Sequence, residues 1–142
     1  MRKDETLNQD AVERGDQKTN SRLPILFIEN DADTCQLIKF VFGEAGWQIE
    51  ICERTKCLKT IRLNNFAAII LDNYFGDLSG AEICAEVRKF DRKIPVVIFS
   101  GESRKPEIKK ALAAGANDYL VKPHDFEQLL PTVIKLIQSN QN

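Results

Sequence analysis

The chain has 142 residues, enough for one domain with a sizeable core, and its 43% apolar and 29% charged residues are ordinary for a globular protein. Twenty Lys and Arg stand against 21 Asp and Glu, a net charge of −1 that leaves no electrostatic footprint for nucleic acid or an anionic membrane. The longest apolar runs are too short to span a bilayer and the polar N-terminus has no apolar signal segment, so a cytoplasmic location with no membrane partner is expected. Cys35, Cys52, Cys57 and Cys84 form no Cys-x-x-Cys pair and read as reduced, small apolar residues.

Residues 1–22 carry five acidic and five basic residues with scattered apolar ones, and read as a polar, flexible leader. Residues 23–142 read as the folded domain. Leu23 to Ile28 is a continuous apolar run, as a strand buried on both faces requires. The spacing of Leu37, Phe40 and Val41 predicts a helix over 33–45, stopped at Gly46. Trp47 to Cys52 is more mixed and suits an edge strand.

A helix over 55–64 follows, with Leu58 and Ile61 on one face, then the third run, continuously apolar from Phe66 to Leu71. Residues 80–90 form the third predicted helix, Pro95 to Phe99 the fourth strand, and 105–114 the fourth helix, ending at Gly115. Asp118 to Val121 is the fifth strand. Asp125 is the expected N-cap of the last helix, with Gln128 completing a capping box and Pro131 imposing a kink or a later start. Strict alternation of strand and helix gives an α/β fold: a flavodoxin-like, doubly wound, five-stranded parallel sheet of order 2-1-3-4-5 flanked by five helices.

The chemistry lies in what ends each strand. Glu29 and Asn30 follow the first run, Asp72 the third, Ser100 the fourth and Lys122 the fifth. Ligands of open α/β sheets bind outside the carboxyl ends of the strands, so these groups converge on one small site. Alone, each is read as a helix cap or a turn residue; their joint placement points to phosphoryl transfer onto a carboxylate. Asp72 is the candidate nucleophile. Glu29 beside it calls for a divalent cation, and Mg²⁺ takes oxygen ligands while bridging to phosphate. Lys122 supplies a fixed positive charge and Ser100 a hydroxyl donor for the phosphoryl oxygens.

Asp72 to Gly80, Ile94 to Gly101 and Ala114 to Pro123 together resemble the receiver domain of response regulators in two-component signalling, over residues 23 to about 138. The resemblance implies that Asp72 is phosphorylated by a histidine kinase or a histidine phosphotransfer protein, without the chain being a conventional enzyme. It also implies a switch made by Ser100 and Tyr119, and a metal held by Glu29, Asn30, Asp72 and the backbone carbonyl of Tyr74. Tyr74 and Glu102 occupy the positions that modulate phosphoryl lifetime, and Tyr74 is expected to overhang the site and slow attacking water. A downstream protein would meet the face of the fourth helix, fifth strand and fifth helix, roughly residues 104 to 138. The phosphodonor would dock near Thr34, Cys35 and Ile38.

One departure stands out: the family's second acidic metal ligand is Asn30 here, a neutral amide, and Asp31 is one residue out of register to replace it. Weaker Mg²⁺ binding follows. The main reading is a stand-alone receiver with no DNA binding in cis. Its rival is an atypical receiver that binds partners without phosphorylation, because of Asn30. A small enzyme on the same fold is a third class: Asp31-Ala32-Asp33 mimics a dehalogenase-type phosphatase motif, but starts beyond Glu29 and lacks a cap domain. His124, the single histidine, is read as an ordinary surface residue.

Overall fold

A computed structural model describes residues 22–73 and 78–141. Five strands, β1 (Ile25–Ile28), β2 (Ile49–Cys52), β3 (Ala68–Leu71), β4 (Val96–Ser100) and β5 (Asp118–Val121), form one sheet of order β2-β1-β3-β4-β5. All four neighbouring pairs are parallel. The order reverses direction at β1, so β1 and β3 lie side by side at the switch point, and β2 is an edge strand as its mixed sequence predicts.

Between the strands run α1 (Ala32–Glu44), α2 (Cys57–Leu63, preceded by a 3₁₀ turn over Arg54–Lys56), α3 (Gly80–Phe90), α4 (Lys105–Ala113) and α5 (Phe126–Asn140). Alternate strand residues feed two cores. Leu26, Ile28, Ile69, Leu71 and Ile98 pack against Ile61 of α2, Ile83, Cys84 and Val87 of α3, and Ala111 of α4. Ile25, Phe27, Ile70, Val97 and Phe99 pack against Ile38 and Phe42 of α1 and Leu129, Val133 and Ile137 of α5. This two-sided burial is why β1 and β3 are apolar throughout and β4 is apolar up to its last residue, Ser100.

Three local expectations are corrected. In α1 the inward residues are Ile38 and Phe42, while Leu37 and Phe40 are exposed. Apolar residues occur on both sides of this helix, and packing against β1 selects the face. Asp125 makes no side-chain cap; its Oδ2 instead accepts from the Val121 N–H at 2.9 Å, tying the end of β5 to the start of α5. Pro131 lies inside an α5 that already starts at Phe126, which excludes the later start, and its ring gives up one helical hydrogen bond.

Ser79 and Glu82 close a full capping box at the start of α3. Gly115 follows α4 with φ of 117°, a conformation that a side chain resists. An added Cβ there would also come within 2.7 Å of Arg88 Cγ. The cysteines among the described residues are all free, and Cys52, Cys57 and Cys84 are buried. Burial raises the thiol pKa of Cys57 and Cys84, as for inert core residues.

Candidate functional site

Glu29, Asp72, Ser100 and Lys122 all stand at the carboxyl edge of the sheet, immediately after or at the ends of β1, β3, β4 and β5. Parallel pairing in register brings these ends level: Ile28 pairs with Leu71, and Ser100 with Val121. Lys122 donates its backbone N–H to the Ser100 carbonyl at 2.8 Å, which fixes where its side chain starts.

Lys122 Nζ lies 2.9 Å from Glu29 Oε1 and 3.9 Å from Asp72 Oδ2. The three side chains are largely enclosed, with exposures of 23%, 9% and 24% for Lys122, Glu29 and Asp72. The other oxygen of Glu29 accepts from the backbone N–H groups of Asn30 and Asp31, at 3.1 and 3.2 Å. One carboxylate is thus oriented by two amides on one side and an ammonium on the other. Such charge-assisted bonds are the stronger ones, and enclosure makes them more so. Ile28, Glu29, Asn30 and Asp72 line a small cleft, together with Arg54 from the 3₁₀ turn after β2.

Asp31 is engaged elsewhere. Its Oδ2 caps α1 by accepting from the Thr34 N–H at 2.9 Å, and these Thr34 bonds hold its carboxyl below the usual carboxylate range. Thr34 and Cys35 are partly exposed at the start of α1, whereas Ile38 is fully buried and unavailable to a docking partner. This corrects the expectation for Ile38. His124 is exposed.

A second group lies beside the first. Ser100 is buried, and its Oγ accepts from the Glu102 N–H at 3.1 Å. Tyr119 is buried too, with its hydroxyl donating to the Glu102 carbonyl at 2.7 Å. Burial raises the Tyr119 phenol pKa above its ordinary value, against the opposing hydrogen bonds from Asn73 and Ser100, so it remains a neutral donor. The Glu102 carboxylate is clasped by Arg104, whose Nε and Nη2 both lie 2.9 Å from its two oxygens; this pulls its pKa down to about 2.

Two side chains beside this site escaped the sequence. Asn73, 3% exposed, accepts from the Gly80 N–H at 3.1 Å and donates to the Tyr119 hydroxyl at 3.3 Å. Gly80 permits this approach, because a Cβ there would sit 3.0 Å from Asn73 Cα. Arg54 donates to the backbone carbonyls of Asp72 and Leu78, the latter at 2.9 Å. The available signals were faint: a polar Asn directly after a buried strand, and a lone Arg closely following an edge strand. Tyr74 lies outside the described residues.

The arrangement can hold an anion against Lys122 while presenting a carboxylate to it. Among the described residues, no cluster of three or more His, Cys, Asp or Glu side chains is disposed to hold a metal ion. The cleft offers two carboxylates and the Asn30 amide instead. No helix among the described residues is long and apolar enough to cross a membrane.

Comparison with known proteins agrees with this fold. A family model described as the response regulator receiver domain matches residues 25–134. The transcriptional regulatory protein ZraR of Klebsiella oxytoca is 27% identical over 116 residues, 81% of this chain and 26% of that protein. The response regulator ArlR of Staphylococcus haemolyticus is 28% identical over 110 residues, 77% of this chain and 50% of that protein. A crystal structure of a two-component response regulator from Clostridium difficile superposes with a TM-score of 0.75 at 28% identity, covering 82% of this chain and 97% of that one. The chain spans only about a quarter to a half of the length of these curated relatives.

Proposed function

The chain belongs to the response regulator receiver domain family, the signalling module of two-component systems, and we propose on that basis that Asp72 accepts a phosphoryl group. The donor is a histidine kinase or a histidine phosphotransfer protein, and the phosphorylated domain signals by binding a protein partner. The observation that carries this reading is the ion-pair group at the sheet edge: Lys122 Nζ 2.9 Å from Glu29 and 3.9 Å from Asp72.

An Asp72 carboxylate oxygen attacks phosphorus as the bond from phosphorus to the donor's imidazole nitrogen breaks, and the imidazole leaves with a proton from solvent. An acyl phosphate results. Water attacking the same phosphorus returns the carboxylate and inorganic phosphate. Lys122 offsets the negative charge of the phosphoryl oxygens, and the Ser100 hydroxyl donates to one of them. Little covalent work falls to the protein beyond Asp72 itself.

Glu29, Asn30 and Asp72 offer an all-oxygen donor set on one cleft, which fits Mg²⁺, an ion that keeps several of its waters. When bound, Mg²⁺ supplies neutralisation of the carboxylate and phosphoryl charge. With a neutral amide at Asn30, its affinity is weaker than a third carboxylate would give. The Tyr74 carbonyl is a further ligand in this proposal, and Tyr74 and Glu102 the residues that set phosphoryl lifetime. Four cysteines free of disulfides suit a reducing cytoplasmic setting.

Ser100 and Tyr119 form the two-state element. Phosphoryl contact draws on the Ser100 hydroxyl, and Tyr119, whose hydroxyl is already engaged with Asn73 and Glu102, carries the change to the face of α4, β5 and α5. That face is where the downstream partner binds. A beryllofluoride titration with Mg²⁺ tests the reading. Saturable binding that Asp72→Asn abolishes supports it; absence of binding at every Mg²⁺ concentration contradicts it and favours partner binding independent of phosphorylation.

A further inference from the structure

Two cations flank Asp72. Lys122 approaches its carboxylate from β5, and Arg54 reaches the same cleft from the turn after β2. Among the described residues the cleft walls carry two carboxylates, Glu29 and Asp72, whose formal charges match those of Lys122 and Arg54. Had residue 30 been acidic, a net negative charge would remain to attract a divalent ion. Asn30 and Arg54 therefore alter the electrostatics in the same direction, and from elements far apart in sequence.

Arg54 is also anchored. Its guanidinium donates to the carbonyls of Asp72 and Leu78, which bracket the segment following the phosphoacceptor. Two donors in one planar fork fix both its position and its orientation, so its charge stays at the cleft rather than sweeping through solvent. It is partly buried there. Lysine could supply the charge but not this double bond to two carbonyls.

We propose that Arg54 is a resident cation of the phosphoacceptor cleft, taking over part of the charge neutralisation otherwise left to Mg²⁺ and shifting the cleft's preference from the cation toward the phosphoryl anion. The inference builds on the metal-binding reading of Glu29, Asn30 and Asp72. Arg54 acts on the metal through charge and on Asp72 through its backbone. It is a positioning and charge-balancing residue, and no covalent step passes through it.

The test is calorimetric titration of the whole chain with Mg²⁺ alone, which requires no acyl phosphate and so stands apart from whether Asp72 is phosphorylated. Arg54→Gln removes a unit charge at the cleft and is expected to tighten Mg²⁺ binding by about five- to tenfold. Arg54→Lys keeps the charge and is expected to stay within about twofold of the parent. Circular dichroism establishes that both variants are folded. An affinity in Arg54→Gln no tighter than the parent's, including no binding by either, overturns the proposal. Equal tightening in both variants assigns the effect to the lost carbonyl bonds and overturns it as well.

Discussion

Asn73 donates its side-chain N–H to the Tyr119 hydroxyl at 3.3 Å, joining the residue next to Asp72 to the aromatic of the fifth strand across 46 positions of sequence. Tyr119 passes the link on to the Glu102 carbonyl at 2.7 Å, and the Ser100 hydroxyl holds the Glu102 amide. The end of β3, the end of β4 and the loop after β4 are thus one hydrogen-bonded unit.

Asn73→Ala removes two hydrogen bonds and leaves the Gly80 N–H without its side-chain acceptor in a buried setting. A loss of about 1–3 kcal/mol is expected, read as a lowered midpoint in urea. A midpoint equal to the parent's would show that the link carries no stability.

Asn30→Asp adds a carboxylate to the cleft lined by Glu29, Asn30 and Asp72. Mg²⁺ affinity is expected to rise about tenfold, and the Mg²⁺ concentration needed for half-maximal phosphorylation to fall with it. Calorimetry and phosphodonor kinetics measure the two separately. Unchanged affinity would mean that residue 30 does not face the ion.

Glu102 contributes a pH dependence of its own. Hydrogen bonds from Arg104 lower its pKa from the ordinary glutamate value of 4.5 to about 2. A folded-state pKa below the unfolded one means that this stabilisation is fully present above about pH 4.5 and is lost as the pH falls through about 2. The stability gap between the parent chain and Glu102→Gln is therefore expected to be constant from about pH 5 to 8 and to close toward about pH 2, as urea midpoints measured across that range would record. A gap that stayed open at the acid end would contradict the assignment.

The strand pattern was legible because both sheet faces are covered: burial on two sides demands continuous apolar runs, and Ile25–Ile28 and Ala68–Leu71 supply them. The convergence of Glu29, Asp72, Ser100 and Lys122 at one edge followed from topology alone. The face of α1 was not legible, since Leu37, Ile38, Phe40, Val41 and Phe42 leave two apolar stripes and only packing on β1 selects Ile38 and Phe42. The Asp125 carboxylate accepts from Val121 at the end of β5 rather than from its own helix, a partner that the capping pattern does not encode. Arg54 and Asn73 make their contacts with partners 7 to 46 positions away, and no local periodicity records such contacts.

Intact-mass spectrometry after incubation with Mg²⁺ and a small-molecule phosphodonor asks directly whether Asp72 is a phosphoacceptor. One added phosphate is expected on the parent chain, none on Asp72→Asn, and an adduct formed at least about tenfold more slowly on Lys122→Gln, which loses the ammonium 3.9 Å from Asp72. A parent chain that gains no phosphate at any Mg²⁺ concentration, or an Asp72→Asn chain that gains it as readily, would contradict the assignment.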